Sequence, residues 1–494
     1  MFLIPTLLSL LDGSDDAKIQ VRAAYALVAS AALCALLIIV PQARGATDGE
    51  LRRAVRTQLR TSDAVPARFI DISVTDGAVE LTGRVDSLLA FDRAADIARA
   101  VRGVQSVVNR LDIQAPPVTD ADLRNRVGAA LNQDPAVAAA EVTPAVDAGE
   151  VTLAGTVNSR AEKRIAGRVA REVRGVRHVV NELAVRTPVE RNDAEIRADI
   201  RQRLDWDLWV DAGLVRVAVE DGAVQLSGTV ASAAERSRAA RLARVAGVST
   251  VAVDRLGVDP ALRDEMRKGP AYGPDDPAAI RDAVRSALRT DPRVSPEEVE
   301  VWHEDGKASL TGTVDNLQAK SAAARNARNT AGVRRVDNLL KVRPPDRRDD
   351  AEVAEAVREW LSWDPYVATD GLRVAVTNGK VTLRGTVRTQ FEKERAGNLA
   401  RRAEGAVAVA NHLTANRPPA PQKDDAELRE DIRREIRWSP YVETDEVTIR
   451  VQDGRATLAG TVDSWRERHL AERNAYEAGA ADVRNFLDFE YGAL

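Results

Sequence analysis

Cysteine is nearly missing from the chain. Cys34 is the single one, so no disulfide can form within the chain and stability must come from packing. Histidine is almost as scarce: His178, His303, His412 and His469 fall in different repeats, and only His178 and His412 share an element, the last strand, at different positions. No Asp, Glu or Cys stands at ligand spacing beside them, so no metal site is expected. The sequence also lacks a G-x-S-x-G elbow, a phosphate-cradling glycine loop and a Cys/His nucleophile pair. No residue can therefore be nominated as a catalyst, and no cofactor is expected. An excess of one charge is missing too, since 71 Lys and Arg face 75 Asp and Glu for a formal net charge of -4. A general nucleic-acid binder needs a basic stripe to displace counterions, so that class is set aside.

Long apolar runs are limited to one, Ala23–Val40, which follows Lys18 and Arg22. As a helix it would reach roughly 27 Å, just short of a bilayer core. Ala43-Arg44-Gly45-Ala46 supplies small residues for a signal-peptidase cut. Residues 1–46 are thus read as a cleaved signal peptide or a retained membrane anchor. The first reading rests on the small-residue site, the second on the length of the apolar run. The leading stretch Met1–Gln20 suits neither, which raises the expectation of a start codon further downstream. Leu33 before Cys34 is unlike a lipoprotein signal, which places a small residue there. Either reading sets the chain from Thr47 onward outside the cytoplasm, in the periplasm or cell envelope.

What is present is repetition. Gly83, Gly155, Gly228, Gly312, Gly385 and Gly460 recur with successive differences of 72, 73, 84, 73 and 75 residues. Each sits in a period-two pattern such as Val79-x-Leu81-x-Gly83-x-Val85 or Val381-x-Leu383-x-Gly385-x-Val387, the mark of a half-buried strand. Upstream stand the turn glycines Gly77, Gly149, Gly222, Gly306, Gly379 and Gly454, mostly as Asp-Gly or Asn-Gly, which tolerate the positive φ of a hairpin. All twelve glycines are read as structural, those in the strand allowing close approach of a packed helix backbone. A first helix opens each unit with apolar residues at i, i+4 and i+8, for example Leu51, Val55, Leu59. Thr47-x-x-Glu50, Asp349-x-x-Glu352 and Asp424-x-x-Glu427 resemble capping boxes. A second, Ala- and Arg-rich helix stops at a glycine such as Gly103 or Gly405. A last strand reads Val107-x-Asn109-x-Leu111 and its equivalents. The third copy is one residue longer there and carries Asp254 in place of asparagine, which predicts a bulge. Pro144 in the hairpin strand of the second copy predicts an edge position.

The fold class is therefore α+β: six tandem α-β-β-α-β two-layer sandwiches after an N-terminal apolar helix. The units are placed at 47–114, 120–186, 192–258, 275–343, 349–417 and 424–491. Proline-bearing linkers join them, and the longest, Asp259–Pro274, separates two halves of three.

The element order, the G-x-V-x-L-x-G-x-V signature and the closing G-V-x-x-V-x-N-x-L resemble the BON domain. The family takes its name from bacterial osmotically inducible and nodulation proteins. Ala406 and Ala480 depart from the pattern where a valine is usual. The resemblance implies an exported protein that binds phospholipid surfaces or supports envelope integrity under osmotic stress.

Aromatic residues make up only 4% of the chain, and all seven tryptophans lie in the last four repeats. Trp206 and Trp209, Trp363 and Tyr366, and Trp438 and Tyr441 occupy one equivalent place, between first helix and first strand. The first two copies hold Thr61/Ala64 and Gln133/Ala136 there. Beside arginines such as Arg433 and Arg437, these rings fit a membrane interface and an anionic phospholipid partner. Equally, they fit caps on each unit's core or contacts with the next repeat. The arginines in turn fit an ordinary salt-bridged helix face, given Glu430, Asp431 and Glu435 beside them. Two functions follow: tethered lipid-binding faces adding avidity, or a spacer or scaffold for another envelope protein or cell-wall polymer. Aromatics buried between units favour the scaffold, whereas exposed ones flanked by arginine favour lipid.

Overall fold

Helix starts are set by short polar side chains. Thr47, Thr119, Asn192, Asp276, Asp349 and Asp424 each accept a hydrogen bond from a backbone N–H of the first turn. The reciprocal glutamate bond is made at Thr47 and Asp349, as the sequence pattern predicts, and also at Asn192. At Asp424 only the aspartate half of the pair is present. These caps belong to a computed structural model that describes residues 46–137, 141–186, 191–263, 276–346, 348–416, 424–439, 442, 447–462 and 465–489. The apolar run Ala23–Val40 lies outside them. Among the described residues no helix is long and apolar enough to cross a membrane.

Every unit runs helix, hairpin, helix, strand. The first helices span Asp48–Thr61, Asp120–Gln133, Asp193–Asp205, Pro277–Arg289, Asp350–Trp363 and Asp425–Trp438. The hairpin's second strand lies at the centre of each sheet, antiparallel to its hairpin partner and parallel to the last strand. In repeat 1, Leu81 faces Ile72 on one side and Asn109 on the other. Pro144 does occupy an edge strand, as do all the first hairpin strands. Central-strand residues Val79, Leu81 and Val85 are buried under the two helices with Leu51, Val55 and Leu59. Each unit so buries one sheet face, as the period-two pattern requires.

The hairpin turns hold two successive residues at positive φ, Asp76 (50°) and Gly77 (74°) in repeat 1, the geometry that matches strand twist. A long-range clamp secures them. The Asp48 carboxylate accepts the N–H groups of both Asp76 and Gly77 at 3.0 Å. Asp120, Asp193, Asp350 and Asp425 repeat this in four other units, whereas repeat 4 has Pro277 at that position.

The strand glycines serve a purpose different from the expected one. Gly83 has φ 109°, and a Cβ there would lie 2.1 Å from the carbonyl oxygen of Phe69. The close approach is thus to the backbone entering the hairpin, not to a helix. Gly155, Gly228, Gly312 and Gly385 meet the corresponding carbonyls in the same way.

The asparagine of the last strand joins sheet to helix. Asn411 Nδ2 donates to the Lys393 carbonyl at 2.7 Å, and its Oδ1 accepts the Leu413 N–H. Repeats 1, 2, 4 and 6 make the same pair of bonds through Asn109, Asn181, Asn338 and Asn485. In repeat 3, Asp254 has no N–H to donate, and the strand register shifts between Ala252 and Arg255. That is the bulge expected there.

Candidate functional site: the junctions between repeats

The repeats are not strung along a line of consecutive contacts. The end of a first helix in one unit meets the cap of a second helix in another, and the partners are nested. Arg102 N–H of repeat 1 donates to the Trp438 carbonyl of repeat 6 at 3.2 Å. Arg174 of repeat 2 donates to Trp363 of repeat 5 at 2.6 Å, and Ala331 of repeat 4 to Trp206 of repeat 3 at 2.9 Å. One geometry therefore recurs three times, pairing 1 with 6, 2 with 5 and 3 with 4.

The 2·5 junction is deeply buried. The cores of these two repeats merge into one apolar cluster, with Leu88 of repeat 1 and Leu317 of repeat 4 at its margins. Trp360 and Trp363, 2% and 8% exposed, meet edge-on with centroids 5.6 Å apart. Arg402 lies over Trp360, 5.2 Å from its centroid. The Arg174 guanidinium donates to the carbonyls of Asp364 (2.6 Å) and Val367 (3.0 Å). Arg395 bridges Asp364 at 2.7 Å and Glu172 at 3.4 Å, and Glu172 also pairs with Arg402. Burial works most strongly against charge on Glu172, yet Arg402 and Arg395 together hold its carboxyl below the usual range. Burial likewise opposes charge on Arg395, and Asp364 and Glu172 overcome it, keeping the guanidinium firmly charged. A buried pair left with one partner is costly, so this network locks repeat 2 to repeat 5.

Of the aromatic residues singled out from sequence, Trp206, Trp363, Tyr366 and Trp438 stand at or beside these junctions. Trp363 is buried in the 2·5 junction, and Tyr366 is half-buried beside it, its ring edge-on to Phe391 at 5.1 Å. Burial pushes the Tyr366 phenol upward, with the nearby Ser87 of repeat 1 opposing the shift. Trp206 packs on the core of repeat 4, and the Trp209 N–H bonds Asp207 Oδ1 at 2.9 Å. Trp438 is half-buried at the 1·6 junction, where Gln58 also donates to Glu435. Tyr441 lies outside the described residues. Arg433 pairs with Glu430 along its own helix, and Arg437 is exposed. Trp206, Trp363 and Trp438 stand in separate junctions.

Two cavities open where three repeats converge. One, about 570 Å³, lies among the helices of repeats 2, 3 and 4 and is lined by seven arginines and three aspartates. The other, about 400 Å³, lies among repeats 1, 5 and 6 and mixes acids and bases around Tyr366, Phe391 and Tyr476. The arginines of the first come chiefly from second helices, which sequence reasoning passed over in favour of first helices. Their signal was the recurrence of Arg in those Ala-rich helices, but the convergence depends on the nested pairing.

Tandem α-β-β-α-β sandwiches with a glycine-marked central strand and an asparagine tie to the second helix define a modular array. The chain belongs to the BON domain family, which matches it at residues 47–115, 119–187, 192–260, 275–344, 349–417 and 424–491. Among its relatives is osmotically-inducible protein Y of Escherichia coli (strain K12). The two are 33% identical over 193 residues, covering 37% of this chain and 96% of that protein. Solved structures similar to parts of it include the C-terminal domain of CdsD, the structural protein of the type III secretion system of Chlamydia trachomatis. That match has 18% identity and a TM-score of 0.12, covering 44% of this chain and 100% of that one. The PrgH periplasmic domain matches at 13% identity and a TM-score of 0.11, covering 39% and 96% respectively.

Proposed function

We propose that this chain is an exported, non-enzymatic envelope protein whose six modules form a scaffold supporting envelope integrity. The observation that carries the reading is the use made of the aromatic residues. Trp206 and Trp363 pack their rings where repeats meet, and Trp438 lends its carbonyl to repeat 1, which ties the modules together. The apolar run before Thr47 supports export, and the osmotically inducible relative supports a role in osmotic stress. The occupant of the scaffold on this reading is another envelope protein or a cell-wall polymer.

A second reading, binding to anionic phospholipid, is favoured by one different observation. Phe69 is partly exposed and lies between Arg68 and Arg84, with guanidinium carbons 4.6 and 4.5 Å from its ring centroid. Such an arginine-flanked ring suits a headgroup layer. Co-sedimentation of residues 47–494, which form one compact unit, with zwitterionic and anionic vesicles decides between the two. On the scaffold reading the protein stays in the supernatant at low and physiological salt, and Trp363→Ala loosens the 2·5 junction without altering that. Pelleting with anionic vesicles alone, weakened by salt and by Phe69→Ala, would overturn it in favour of lipid.

A further inference from the structure

The larger cavity concentrates positive charge in a protein whose overall charge is slightly negative. Three of its arginines are already neutralised. Arg238 grips buried Asp207 through three bonds of 2.7, 2.9 and 2.6 Å. Arg293 bonds Asp291 at 2.8 Å, and Asn326 holds the same carboxylate at 2.9 Å. Arg203 bonds Asp199 at 2.9 Å, a carboxylate shared with Arg191. All three lining aspartates are thereby committed.

Arg164 and Arg168, one turn apart on the second helix of repeat 2 (Arg160–Arg171), make no ion pair or hydrogen bond among the described residues. The same holds for Arg325, on the second helix of repeat 4 (Leu317–Arg328). Water reaches all three, yet they stand in a concave wall where field lines concentrate. Burial lowers the affinity of Arg325 for its proton, bringing it to about 10, and the neighbouring charges of Arg293 and Arg168 add to this. Arg164 and Arg168 are shifted in the same direction, burial again leading. Neighbouring arginines add to the shift at Arg164 and Arg325, while Glu172 and Asp134 offset it at Arg168 and Asp291 does so at the other two. Planar guanidinium groups recognise phosphate oxygens in bidentate fashion, and a cavity of this size accepts a small multiply charged ligand.

We propose that the cavity between repeats 2, 3 and 4 is a binding site for a phosphate-bearing anion, with Arg164, Arg168 and Arg325 as its recognition residues. The shared chemistry is the phosphate group, borne either by a soluble oligophosphate or by a lipid headgroup. A soluble ligand at this site leaves the scaffold reading standing, whereas vesicle pelleting through it counts against that reading, and the cavity variant and Phe69→Ala tell the two lipid contacts apart. Calorimetric titration of residues 47–494 with inorganic tripolyphosphate tests one source, and co-sedimentation with phosphatidylglycerol vesicles tests the other. Arg164→Gln, Arg168→Gln and Arg325→Gln are combined in one variant. The control combines Arg52→Gln, Arg53→Gln and Arg56→Gln, removing equal charge from an exposed helix face. One-to-one tripolyphosphate binding, weakened at least tenfold in the cavity variant and unchanged in the control, assigns a soluble ligand. Vesicle pelleting lost only in the cavity variant assigns a headgroup. Absence of both in the unaltered protein, or equal loss in the two variants, overturns the proposal. Thermal melting guards the comparison, because relief of repulsion should leave the cavity variant folded and at least as stable as the unaltered protein.

Discussion

Single residues decide how each module closes. The recurring glycines were evident in the sequence because positive φ leaves a local signature, a Gly after Asp or Asn within a period-two pattern. The Asp48 clamp was not, since it joins residues 28 and 29 positions apart and looks like any acidic residue in a first turn. The asparagine was visible as a repeated letter but not as a tie between layers. Its amide is simultaneously donor and acceptor, which an aspartate cannot imitate. Asn411→Asp therefore loses the bond to the Lys393 carbonyl and sets a carboxylate oxygen against it. The cost expected is about 1–3 kcal/mol, read as a lower urea midpoint for residues 47–494. An unchanged midpoint would show that the tie adds no stability.

At the scale of the element, the first helices were legible on one side only. The apolar stripe at i, i+4 and i+8 marks the face turned to the module's own sheet, and those residues are buried as that spacing requires. A second face, turned to another repeat, carries no periodic mark. The residue before the last stripe position is Trp360 in repeat 5 and Glu435 in repeat 6, and both are 2% exposed. One position thus buries a large apolar ring in one junction and a carboxylate in another. The last strand of repeat 3 shows the opposite case, a local departure readable in advance. Its extra residue and Asp254 produce the register shift between Ala252 and Arg255. Deleting Val253 together with Asp254→Asn restores the spacing and the donor found in the other units. The strand should gain about 1 kcal/mol against local opening, slowing amide exchange across Thr250–Val258 about fivefold. Exchange as fast as before would mean that the bulge is held by something other than the missing donor.

For the whole molecule, the nested pairing of repeats is the feature the sequence concealed. Linker composition distinguishes two halves of three, yet the junctions join partners across those halves, 1 with 6 and 2 with 5. Sequence similarity among modules hides which faces are used, because each pairing differs in the side chains it buries. The 1·6 junction is the one that pH should govern. Glu435 accepts from Gln58 across it with no cation close enough for an ion pair among the described residues. Burial pushes its carboxyl from 4.5 up to about 8, with Glu477 and Asp431 adding to the shift and Arg434 and Gln58 opposing it. Arg93 and Arg473 approach Glu477 at 3.8 and 3.6 Å instead. An unfolded chain releases the Glu435 proton near 4.5, whereas the folded one holds it to about 8. Between those values the folded state binds the extra proton, so its stability falls as pH rises and levels off above 8. The loss attributable to this one group is on the order of a few kcal/mol. Glu435→Gln keeps an oxygen for Gln58 but cannot ionise. Its melting temperature should change less between pH 5 and 8 than that of the unaltered protein, and should exceed it at pH 8. Parallel curves for the two proteins would show that Glu435 finds a compensating partner and that the 1·6 junction does not sense pH through it.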